Sequence, residues 1–137
     1  MIIMIDVISK IIDLRRLREQ KSWLEEQEKE LAKAKVRDYS LIPRVMEYFY
    51  DHIKDTNTPY NRKKMLFVIL CIFAPNVLAG YRLPRGLRKE LTNMFFLKRS
   101  CIISNDIPNL LFYYLHYKDF RADVEDLYLH ILDELLV

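Results

Sequence analysis

Apolar residues recur at helical spacing along most of the chain, starting with the first forty positions. Val7, Ile11, Leu14, Leu17, Leu24 and Leu31 follow one another at intervals of three, four or seven, which predicts one long helix carrying a near-heptad seam. Acid-first charge pairs four residues apart, Asp6/Lys10 and Glu25/Lys29, support the same helix. Lys21 and Glu28 fall on alternating seam positions and weaken it. Two roles suit such a face: it pairs with a second copy of the chain, or it lies on the domain's own core.

Ser40 is placed to cap a second helix, with Pro43 in its first turn and Val45, Met46, Phe49 and Ile53 on one side. The polar loop DTNTPYN ends it. Asn61 is placed to cap the third, RKKMLFVILCIF, which is apolar on nearly every side after a basic first turn and therefore belongs at the centre of the core. Pro75 stops or restarts that helix, and a short turn follows, closed by Gly80 in a left-handed cap. Pro84 and Gly86 mark another turn. In LRKELTNMFFL, Leu87, Leu91, Met94 and Phe95 share one face, and Arg85, Arg88, Lys89 and Asn93 the other. KRS is a break, after which Ser100 caps CIISNDI, Asp106 caps a further helix with Pro108 in its first turn, and Asp119 opens the last one, with Phe120, Val124, Leu127, Ile131 and Leu135 inward. Glycine occurs only at Gly80 and Gly86, whereas a protein of many short strands needs repeated glycine-rich turns. The pattern predicts an all-α bundle of about six or seven helices, with residues 1–38 as a long N-terminal helix and residues 39–137 as a helical domain.

At 137 residues and 51% apolar, the chain is one domain's worth and too hydrophobic to be disordered. Its longest unbroken apolar run, Met65 to Ala74, is ten residues, too short to cross a bilayer as a helix. At the N-terminus the basic residues follow the apolar stretch, the reverse of a secretory signal. The expectation is a soluble, cytoplasmic protein without a membrane partner. Cys71 and Cys101 stand in apolar surroundings and read as buried core thiols. His52, His116 and His130 are scattered without metal-ligand spacing, and no phosphate-cradling glycine loop is present. Neither a cofactor nor a catalytic constellation is expected. The aromatic runs MEYFY and FYYLHY suit either a packed core or stacking platforms for nucleobases, and their helical spacing favours the core.

Charge changes the picture most. Residues 1–59 balance eleven basic against eleven acidic side chains. Residues 60–101 carry nine basic residues against Glu90 alone, a net of +8, and residues 102–137 carry two against seven, a net of −5. A block of that sign suits a polyanion. Two alternatives remain: the basic block folds against the acidic tail, or it docks an acidic partner such as the C-terminal helix of another copy.

Residues 85–107 place an amphipathic helix, LRKELTNMF, a short polar turn, FLKR, and a second helix start, SCIISNDI, in succession. This segment resembles the helix-turn-helix unit of small DNA-binding proteins of phage or mobile-element type, regulators or accessory factors among them. The resemblance implies that Ser100, Ser104 and Asn105 meet base edges, and that Arg82, Arg85, Arg88, Lys89, Lys98 and Arg99 meet phosphates. Where that family usually has a glycine in the turn, this chain has Leu97 or Lys98. Pro108 limits the second helix to about two turns or kinks it.

Overall fold

A computed structural model describes residues 3–136, and among them every regular element is helical. Seven α-helices follow in order: α1 (Met4–Leu31), α2 (Ile42–His52), α3 (Pro59–Phe73), α4 (Pro75–Leu78), α5 (Leu87–Met94), α6 (Cys101–His116) and α7 (Lys118–Leu136). One 3-10 turn, Tyr39–Leu41, precedes α2. The all-α expectation holds. The chain divides into two compact units, Met1–Lys33 and Ala34–Val137.

The first unit is α1, 28 residues long, and all of its side chains are exposed. Along the expected seam the exposure runs from 40% at Val7 to 83% at Leu31. The charge pairs that the spacing suggested do not close among the described residues, whereas Lys33 pairs with Glu30 at 3.0 Å. Exposed pairs of that kind contribute little, so α1 rests on its own backbone ladder and on length, which at this size exceeds the roughly 12–15 residues an isolated helix needs.

The second unit is organised around α3. From Met65 to Phe73 all of its residues are buried except Cys71, which is half-buried. Four helices pack on it and share its core: α2 with Val45 and Phe49, α4 with Val77, α6 with Ile103 and Leu110, and α7 with Phe120, Val124 and Ile131. Each such fully buried side chain contributes about 1.5–3 kcal/mol. Leu87 and Leu91 carry α5 onto the same core. Residues 34–38 belong here rather than with α1, for the Val36 amide donates to the Ile72 carbonyl at 3.1 Å.

Several expected boundaries move, each for a local reason. Asp38, not Ser40, opens the second helical segment: its Oδ1 accepts from the Ser40 amide at 3.0 Å and from the Ser40 hydroxyl at 2.6 Å. Thr58, not Asn61, caps α3, accepting the Asn61 amide on Oγ1 at 3.3 Å with Pro59 at the first helical position. The Asn61 side chain instead turns back to the Lys54 and Asp55 carbonyls. Pro75 does restart the helix, and Gly80, at φ +106°, closes α4 as expected.

The largest correction concerns α6. Asp106 caps nothing; it lies in the middle of a continuous 16-residue helix, and Pro108 sits inside that helix rather than at the start of another. An interior proline removes one hydrogen bond and costs about 3 kcal/mol. Ile103 and Leu110, buried on either side of it, hold the helix together across that fault. At its far end α6 turns directly into α7 through Tyr117, and Arg121 reaches back to donate to the Tyr114 and Leu115 carbonyls at 3.0 and 2.7 Å. The last turn of α6 is thus capped by a guanidinium of α7.

Candidate nucleic-acid interface

Gly86, at φ +87°, lets the chain turn sharply into α5. Leu87 and Leu91 face inward, and Thr92 is also buried, its hydroxyl donating to the Arg88 carbonyl at 2.6 Å. That register leaves Arg88 and Lys89 exposed on the outer face, as the amphipathic pattern predicts. Arg82 and Arg85, before the helix, and Lys98 and Arg99, after it, are exposed too. α5 is shorter than its sequence pattern: it stops at Met94, and Phe95 is its C-cap.

The turn that follows is built by an unexpected residue. Phe96 takes the left-handed conformation at φ +56°. The Phe96 amide donates to the Asn93 carbonyl at 3.1 Å and the Leu97 amide to the Thr92 carbonyl at 2.9 Å, the paired bonds of a Schellman motif. Phe96 therefore fills the place that glycine commonly takes. The Tyr50 hydroxyl, from α2, donates to the Met94 carbonyl at 2.9 Å and fixes the end of α5 to the rest of the unit.

At the start of α6, Ser100 is in a helical conformation and its side chain caps nothing. Ser100 and Asn105 are exposed. Ser104 is not available in the same way: its Oγ is buried with no hydrogen-bond partner, and its carbonyl loses the helical donor that Pro108 cannot supply. An open cleft of about 450 Å³ lies between α6 and the segment preceding α5, with Arg82, Arg88 and Ser104 among apolar walls from Val77, Leu83 and Ile107. Cys101 is exposed at the first turn of α6, contrary to the core expectation, because the buried face there begins with Ile103. Cys71 is half-buried, and its burial pushes the thiol up to about 12.

The basic block divides into two parts with different fates. Arg62 grips Asp106 through a fork, Nε to Oδ2 at 2.8 Å and Nη2 to Oδ1 at 3.3 Å. Lys64 donates to Asp123 at 2.6 Å and lies 4.5 Å from the centre of the Tyr60 ring, while Lys63 lies 5.2 Å from that of Tyr113. These three cations serve the fold. The other six, Arg82, Arg85, Arg88, Lys89, Lys98 and Arg99, make no ion pair or side-chain hydrogen bond among the described residues. Four of the six acids of α7 have partners within the unit: Asp119 the Tyr60 hydroxyl at 3.0 Å, Asp123 Lys64, Glu125 the Tyr114 hydroxyl at 2.7 Å, and Asp126 His130 at 3.3 Å; Asp133 and Glu134 are exposed.

Of the clustered aromatics, Tyr48, Phe49, Tyr113 and Tyr114 pack as the core reading expects, and Tyr50, Phe112 and Tyr117 are exposed. Tyr114 stacks on Phe67 and Tyr113 meets Tyr60 edge-on, whereas Phe96 is also exposed. Burial, and then the bond to Asp119, raise the Tyr60 hydroxyl to about 12; that bond in turn holds the Asp119 carboxyl below its ordinary range. No group of three or more metal-ligating side chains converges among the described residues, and no described helix is long and apolar enough to cross a membrane. No protein-family model, curated protein or solved structure matches the chain.

Proposed function

We propose that the chain is a non-catalytic DNA-binding protein whose contact surface is the basic strip around α5. The observation that carries this reading is the split of the basic block: three cations are neutralised or packed internally, and six along residues 82–99 face solvent outside any ion pair among the described residues, with Glu90 the one acid in that stretch. Exposed unpaired cations in such density suit the regular negative charge of a phosphate backbone. Arg82, Arg85, Arg88, Lys89, Lys98 and Arg99 are assigned to phosphates. Ser100 and Asn105, exposed at the start of α6, are the side chains offered to base edges; the buried Ser104 hydroxyl is left out of that set. A phage or mobile-element regulator is the setting that the helix-turn-helix resemblance implies. The competing reading, in which α7 of another copy covers the strip, has less to draw on, since four of the six acids of α7, Asp119, Asp123, Glu125 and Asp126, already have partners within the unit, which leaves it Asp133 and Glu134.

Fluorescence anisotropy of a labelled random duplex, titrated from about 50 to 200 mM salt, tests the reading. With about six phosphate contacts, the logarithm of affinity should fall against the logarithm of salt with a slope of roughly −5. Replacing Arg88→Glu and Lys89→Glu together should weaken binding at least about tenfold and flatten that slope by about two, with the circular dichroism spectrum unchanged. Absence of binding at low salt, or full affinity in the double variant, would overturn the assignment.

A further inference from the structure

α1 forms a unit with no core of its own, and its apolar side chains stand in water. We infer that α1 pairs with α1 of a second copy, antiparallel, about a dyad at Glu19. The seam read as a heptad comprises Val7, Lys10, Leu14, Leu17, Lys21, Leu24, Glu28 and Leu31, all exposed; Ile11 flanks it. In a parallel dimer each seam residue meets its own copy. That arrangement sets Lys10 on Lys10, Lys21 on Lys21 and Glu28 on Glu28, three layers of like charge in a surface that association would dry.

Antiparallel pairing about Glu19 changes every one of those layers. Val7 meets Leu31, Lys10 meets Glu28, Leu14 meets Leu24 and Leu17 meets Lys21, and two-fold symmetry repeats each layer once. All eight seam positions find a partner, over about 36 Å of helix at 1.5 Å per residue. Opposite charges coincide, and the Lys21 stem covers Leu17 while its ammonium stays at the rim. Sliding one helix by a heptad loses this. One direction sets Lys10 on Lys21; the other sets Glu28 on Leu17 and leaves Val7 and Lys10 beyond the overlap. A carboxylate has room for several donors, so Glu28 takes the lysine of the second copy alongside its bonding within its own chain. Charge complementarity therefore selects both orientation and register.

The test is sedimentation equilibrium of the full chain without nucleic acid, which separates the outcome from that of the DNA reading. The wild type should dimerise. Lys10→Glu sets two acids opposite each other in two layers, and Glu28→Lys two bases, so each single variant should weaken the dimer at least about tenfold, since like-charge juxtaposition costs several kcal/mol. The double variant Lys10→Glu/Glu28→Lys restores opposite charges and should recover the wild-type constant to within about threefold. Both sites are exposed, and circular dichroism should show the helix content intact. A monomeric wild type, or a double variant no tighter than the singles, would overturn the inference; a parallel dimer gives that second result, because like charges face each other in all four proteins.

Discussion

Asp106 is the residue whose role is most distant from what its neighbours in sequence suggest. Next to an upcoming proline it has the makings of a helix cap, yet the fold buries it mid-helix against Arg62, forty-four positions away. No local signal identifies such a pair; it exists because α3 and α6 pack together. Removing one partner of a buried fork strands the other charge, so Asp106→Ala should cost about 3 kcal/mol or more in a urea unfolding titration. His130 offers a smaller effect with a clear sign. Its Nδ1 faces the Asp126 carbonyl at 2.7 Å, and that bond, followed by the Asp126 carboxylate, raises the imidazole above its ordinary value. Asp133 and Glu134 on the same helix act in the same direction. Its contribution to stability is thus fully present below the unfolded imidazole value and is lost as pH rises through the folded one. An NMR titration should find His130 above an unfolded-peptide reference, and Asp126→Asn should bring it down. Phe96 shows a cost borne by backbone instead: a bulky residue held left-handed and 79% exposed.

At the scale of elements, the apolar spacing identifies α2, α5 and α7, because each presents its core residues at the intervals a helix requires and little in their sequences competes, while α3 is identified by its long unbroken apolar run. The starts were less legible. At Ser40 and Asn61 a capping residue type was present, but Asp38 and Thr58, close by and equally competent, formed the bonds. Propensity names candidates; the entry angle of the chain chooses among them. The sequence pattern splits α6 because proline is a strong local stop, and here the packing of Ile103, Leu110 and the Arg62–Asp106 pair outweighs it. That balance can be measured. Pro108→Ala restores the missing amide toward the Ser104 carbonyl and removes the ring, and thermal unfolding should show the protein stabilised by about 1–3 kcal/mol. A loss of stability would mean that the ring's own packing matters more than the helix it interrupts.

For the whole molecule, the sequence made the imbalance of charge plain but not its distribution, because counting by blocks cannot tell a cation that folds inward from one that faces out. The cations of residues 62–64 and of 82–99 count alike in the block total, yet Arg62 and Lys64 pair with acids while the later six do not. The same arrangement bears on the protein in isolation. Like charges gathered on one stretch repel, and folding must work against that repulsion in order to place them there. Mobile counterions relieve it partly. A polyanion bound there, as proposed above, would relieve it more fully and, to the extent that it prefers the native arrangement to the unfolded chain, would shift the folding equilibrium toward the native state. The strip proposed for recognition is then also where the unbound protein stores unfavourable electrostatic work, and on that proposal its occupancy would be one of the conditions on which the fold's own stability depends.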